Sequence, residues 1–86
     1  MVASKNPQRG VQFAVDSLSA RELEVFKLLG EGFSTREIAQ QLNLSTKTID
    51  TYRDHLKLKL GVENGGDLIH YAVQWSRIQT AQEISR

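Results

Sequence analysis

Cysteine is absent from these 86 residues, so neither a disulfide framework nor a thiolate zinc site can staple the fold. Proline occurs once, at Pro7, and tryptophan once, at Trp75. No apolar run approaches the ~20 residues that a membrane span needs, and the first ten residues lack the apolar segment of a secretory signal. A cytoplasmic, reducing setting is the expectation. Charge of one sign is scarce too. Eleven Lys and Arg stand against ten Asp and Glu, a net +1. The sequence pI of 8.1 lies below the ~9 common in domains that grip phosphates. His55 and His70 are too few for a metal site without carboxylates around them, so no metal and no cofactor is expected. A chain of this size forms one domain and buries only about three-fifths of its unfolded surface, so its helix ends must be well finished.

What the chain does have is one helix-start signature used three times. The segments are Leu18-Ser19-Ala20-Arg21-Glu22-Leu23, Phe33-Ser34-Thr35-Arg36-Glu37-Ile38 and Leu44-Ser45-Thr46-Lys47-Thr48-Ile49. Each puts a serine at the N-cap, where its hydroxyl can accept a backbone N–H of the first turn. In the first two a glutamate three residues on completes a capping box. In all three an apolar residue before the cap can clasp another at the fourth helical position. Gly30 and Gly32 bracket the end of the first helix, Asn43 suits the left-handed conformation after the second, and Gly61 closes the third. A fourth start, Asn64-Gly65-Gly66-Asp67-Leu68, has a cap and an acid, although its glycines cost ~1 kcal/mol each relative to alanine. These signals predict an all-α, compact four-helix domain with helices at about 20–30, 35–42, 46–60 and 65–79. Residues 1–17 are polar and without helical period, and are expected to be a linker or disordered arm. Residues 80–86 are expected to be a C-terminal tail.

The second and third helices are joined by Asn43-Leu44-Ser45, the turn length that sets two helices across each other in a helix-turn-helix. At 100° per residue, Ile49, Tyr52, Leu56 and Leu60 share the face of the third helix that must be buried. The opposite face carries Lys47, Asp50, Thr51 and Asp54, with Arg53 and Lys57 on one flank and Thr48 and His55 on the other. Residues 45–60 hold Lys47, Arg53, Lys57 and Lys59 against Asp50 and Asp54, a local +2 and about twice the charge of the whole chain. An α-helix fits the major groove of DNA. There Lys and Arg suit guanine edges, Thr suits a thymine methyl and Asp can accept from a cytosine amino group. Lys59 and Arg36, nearer the margins, are expected at phosphates. Asp54 and His55 are neighbours pointing ~100° apart, so they make no catalytic dyad. Four short helices leave little room for a cleft; no enzyme activity is expected.

The motifs Leu18-Ser19-x-Arg21-Glu22-x-Glu24-Val25, Gly32-Phe33-Ser34-Thr35-Arg36-Glu37-Ile38-Ala39, Leu44-Ser45-x-x-Thr48-Ile49 and Lys59-Leu60-Gly61-Val62, in this order, resemble the LuxR/GerE-type helix-turn-helix domain. The nearest branch looks like the output domain of NarL/FixJ-type response regulators. The resemblance covers about residues 18–76, within an expected domain at 18–79. It implies a four-helix fold that binds double-stranded DNA as a homodimer, on a pseudo-palindromic site, to regulate transcription. It places Ser45, Thr46, Lys47, Thr48, Asp50, Thr51, Arg53, Asp54 and Lys57 at the groove, with Ser34, Thr35 and Arg36 on the backbone. The chain departs from the pattern at Asp50 and Asp54, where many members carry basic residues, which points to a different base preference. Leu58 stands where a charge is common.

The resemblance also implies dimer contacts from the last helix. There Leu68, Ile69, Ala72 and Val73 are expected to face the core, and Tyr71, Trp75 and Ile78 widen that apolar arc into a dimer surface. The competing possibility is that Tyr71 and Trp75 simply cap a small core. Contact with RNA polymerase is a further expectation; no small molecule and no membrane are expected partners. Two alternatives to a response-regulator output domain stay open. One is a promoter- and polymerase-binding module like that of sigma factors. The other is a protein-interaction domain that keeps the fold without binding DNA, which the acids on the third helix would favour.

Overall fold

The computed structural model describes residues 14–84, with side chains described as far as residue 79. Its four main helices are α1 (Ala20–Gly30), α2 (Thr35–Leu42), α3 (Thr46–Leu60) and α4 (Gly65–Ile84). Each start is closed as its sequence signature demands. Ser19 and Ser34 accept the backbone N–H of Glu22 and Glu37, both at 3.2 Å. The two glutamates reach back to the Ser19 and Ser34 N–H groups at 2.9 and 2.8 Å. Ser45 caps α3 through the Thr48 N–H at 3.1 Å, and Asn64 caps α4 through the Asp67 N–H at 2.8 Å. Such a cap contributes about 1 kcal/mol.

The ends of α1, α2 and α3 share one device. Gly32, Asn43 and Gly61 take positive φ of 97°, 59° and 72°. The next residue's N–H then turns back into the helix: Phe33 to the Leu28 carbonyl, Leu44 to Ala39, and Val62 to Lys57, at 2.9–3.1 Å. Each of these residues is apolar and packs against the core, as expected of a Schellman closure. The backbone thus turns sharply three times without leaving buried carbonyls unpaired.

Each helix delivers one stripe to a common core. Val25, Phe26 and Leu29 of α1 meet Ile38 and Ala39 of α2, Ile49, Leu56 and Leu60 of α3, and Leu68, Ala72 and Trp75 of α4. α1 lies at the centre and touches the other three helices, while α3 also packs on α2 and α4. The small Ala39 of α2 is 4% exposed, as the corner of a helix-turn-helix requires.

Two boundaries and one burial assignment differ from expectation. Within the arm expected at 1–17, residues 14–16 are helical and Val15, 3% exposed, belongs to the core; residues 1–13 lie outside the described residues. α4 continues to Ile84, past the expected end at 79 and into the expected tail, because nothing between Thr80 and Ile84 is a glycine or proline that would stop it. Ile69, expected in the core, is 40% exposed. The buried stripe runs through Leu68, Ala72 and Trp75 at i, i+4 and i+7, and Ile69 sits ~100° away from Leu68. No helix among the described residues is long and apolar enough to cross a membrane, and no group of three His, Asp or Glu among them could hold a metal ion.

Candidate nucleic-acid interface

The core grips α3 along Ile49, Leu56 and Leu60, with Tyr52 half-buried beside them. The opposite side therefore stands in solvent: Thr46, Lys47, Asp50, Thr51, Asp54 and Leu58 are all exposed, Leu58 at 81%. Arg36 is exposed in the first turn of α2, and Ser34 and Thr35 open that same helix.

Hydrogen bonding sorts the expected site residues. Ser34 and Ser45 are N-caps, so their hydroxyls already serve the backbone. Thr48 is half-buried, its hydroxyl 2.9 Å from that of Ser45. Thr51 donates its hydroxyl to the Lys47 carbonyl at 3.2 Å, which leaves its methyl as the outward group. Asp54 pairs with Lys57 at 3.4 Å. Lys47 and Asp50 have no side-chain partner among the described residues.

Two of the expected contact residues have internal partners. Arg53, expected at the groove, donates from Nη1 to the Thr35 hydroxyl at 2.7 Å, joining α3 to the first residue of α2. An added Cβ at Gly65 would stand 2.9 Å from the other terminal nitrogen, so the guanidinium also lies against the start of α4. Arg53 thus ties α3 to the start of α2. Lys59, expected at phosphate, donates to Glu22 Oε1 at 2.8 Å. Its charge is matched by a carboxylate that is 6% exposed.

Glu22 was legible only as a capping residue, yet it shares the α1 stripe of Val25, Phe26 and Leu29. That spacing is the signal that it would be buried and would need a cation. Its Oε1 accepts from both Ser19 N–H and Lys59, and its Oε2 lies 3.8 Å from His55 Nδ1. The Lys59 hydrogen bond, then the Ser19 N–H, hold its carboxyl below the usual glutamate range, against the opposing effect of burial. A group whose folded pKa is depressed contributes stability above its unfolded value, near 4.3, and loses it as pH falls through the folded value. Acid titration of the unfolding free energy should therefore show a decline that begins near pH 4–5 and flattens in Glu22→Gln. Equal slopes for both proteins would mean that Glu22 gains nothing from its partners.

The expected dimer residues are also redistributed. Trp75 is 8% exposed and lies on Phe26, ring centroids 5.4 Å apart. It is a core residue, because the α4 stripe turns it onto α1. Tyr71 is half-buried, edge-on to Phe26 at 6.0 Å, and burial pushes its phenol up. Ile78 is half-buried.

A short helix, a three-residue turn and a longer helix held by its inner face define a helix-turn-helix domain. Residues 16–72 match the family model for bacterial regulatory proteins of the luxR family. The transcriptional activator protein ExaE of Pseudomonas putida is 40% identical over 74 residues, 86% of this chain and 35% of its own length. The oxygen regulatory protein NreC of Staphylococcus aureus (strain JH9) is 39% identical over 57 residues, 66% of this chain and 26% of its own length. The chain belongs to the luxR family, whose domain binds DNA in transcription regulation and is not an enzyme class. It spans about a third or less of the length of these relatives.

Proposed function

We propose that this chain is the output domain of a two-component response regulator, binding a specific duplex with α3 in the major groove. The observation that supports this most directly is the division of α3: one face is wholly core, and the other presents Lys47, Asp50 and Thr51 with none of the described residues over them. An α-helix of this kind matches the width of the major groove. The first turn of α2, with Arg36 exposed and the Thr35 and Arg36 backbone N–H groups without helical partners, sits against the flanking phosphates. The domain's small share of its relatives' length suits a DNA-reading module carried by a longer regulator.

Pairing on DNA uses the outer side of α4, where Ile69 is exposed and Val73 half-buried one turn on. This replaces Trp75 in the dimer surface. One helix face offers far less than the ~800 Å² per partner of stable complexes, so the free domain is monomeric and pairs on its site.

Selection of bound duplexes from a random library, followed by sequencing, tests the proposal; an enriched palindrome is the expected result, and no enrichment by the folded protein overturns it. On the selected duplex, log affinity should fall with log salt at roughly −0.9 per phosphate neutralised, with about four contacts per subunit. Arg36→Ala should flatten that slope by about one unit, whereas Lys59→Ala should leave it nearly unchanged, because Glu22 already holds that charge. A salt-independent affinity would rule out the groove geometry.

A further inference from the structure

The outward stripe of α3 holds two carboxylates, and the structure makes them unequal. Asp54 has the Lys57 ammonium 3.4 Å from Oδ1, an exposed i,i+3 pair that offsets part of its charge. Asp50, four residues earlier, is exposed and without a side-chain partner among the described residues. The hydroxyls beside it are committed: Thr51 to the Lys47 carbonyl and Thr48 to Ser45. Of the two carboxylates on this stripe, Asp50 is therefore the one with no cation paired to it among the described residues.

In a groove walled by phosphates a bare carboxylate is repelled unless it accepts a hydrogen bond. Only amino groups offer one on the major-groove edges, N4 of cytosine and N6 of adenine. Adenine sets its N7 acceptor beside N6, facing the second carboxylate oxygen, whereas cytosine has no acceptor of its own there. Lys47, one turn before Asp50, is exposed and suits the O6 and N7 of a guanine. Placed next to Asp50, it would also offset the carboxylate's charge. Resting on the proposal that α3 enters the major groove, we infer that Asp50 sets base choice by accepting from the amino group of a cytosine. Lys47 donates to the adjoining guanine edge, and Thr51 contributes only its methyl.

The test uses the wild-type chain, Asp50→Ala and Asp50→Asn, each checked for helical content, in duplex selection. The wild type should enrich cytosine at one position of each half-site. Asp50→Ala should lose that preference while keeping the others, and should bind unrelated duplexes more tightly. Asp50→Asn, which can both donate and accept, should shift the position to adenine. A duplex carrying 2-pyrimidinone, which lacks the amino group, in place of that cytosine should bind the wild type roughly tenfold more weakly. Asp50→Ala should not distinguish the two duplexes. The inference is overturned if Asp50→Ala selects the same cytosine, or if the wild type prefers adenine there. It is also overturned if Asp50→Ala gains affinity for every duplex equally with its preferences intact. If the folded wild type enriches no sequence at all, it is the groove reading that fails.

Discussion

Replacing Trp75 by alanine is expected to lower the stability of the domain by about 3–5 kcal/mol, a large part of the ~5–15 kcal/mol that holds a small domain folded. The indole is 8% exposed and packs tilted against Phe26, which Tyr71 meets edge-on. Its removal takes the largest side chain from the α1–α4 contact and opens a cavity that two helices cannot close without shifting. Midpoint temperature should drop by more than about 10 °C. Trp75→Phe separates packing from polarity. The indole Nε1 is buried with no hydrogen-bond partner among the described residues, an arrangement that costs about 1–3 kcal/mol, so losing it offsets much of the lost area. That variant should stay within about 1.5 kcal/mol of the parent. As Trp75 is the only tryptophan, its emission reports unfolding of the parent directly. Were Trp75→Ala to remain as stable as the parent while losing only its pairing on DNA, the residue would belong to a subunit interface after all.

The features that could be read from the chain are those decided within about five residues. Ser19, Ser34 and Ser45 cap their helices, and Asn43 and Gly61 end theirs, because each acts on backbone groups one turn away. The starts of all four helices and the ends of the first three therefore fall where expected. The end of α4 did not, since the chain there carries no local stop. What escaped are the partnerships across the fold. Arg53 meets Thr35 across 18 residues and Lys59 meets Glu22 across 37. The spacing of charges on one helix cannot reveal a carboxylate or hydroxyl brought up by another. On α4 the apolar residues form two overlapping stripes, Leu68–Ala72–Trp75 and Ile69–Val73. Only the position of α1 decides which is inward. On the outer face of α3 the residue types were legible, but the inequality of Asp50 and Asp54 depends on where the Lys57 ammonium comes to rest.

Gly30 shows the same limit and yields the second large effect. Its place at the end of α1 marks it as a helix terminator, yet left-handed geometry there belongs to Gly32. Gly30 is instead a point of contact. A Cβ added to it would lie 2.5 Å from the Ala72 carbonyl oxygen, 3.0 Å from the carbonyl carbon and 3.3 Å from Ser76 Cβ. The obstacle is the backbone of α4, which cannot rotate aside as a side chain can, so α1 and α4 would have to separate where Phe26 and Trp75 also pack. Gly30→Ala should therefore destabilise by about 1–3 kcal/mol, even after alanine's gain of up to ~1 kcal/mol in helix propensity. Gly66→Ala is the matched control. It lies in the first turn of α4, and its added Cβ would meet only Asn64 Oδ1, at 3.4 Å. There the propensity gain stands nearly alone, and the substitution should stabilise by up to ~1 kcal/mol. Denaturant midpoints should thus move in opposite directions for one chemical change at two helical glycines. If both midpoints rise, α1 and α4 can part at Gly30 without cost, and the close crossing does not hold the core together. Combined with Trp75→Ala, Gly30→Ala should cost less than the sum of the two, because both loosen one contact.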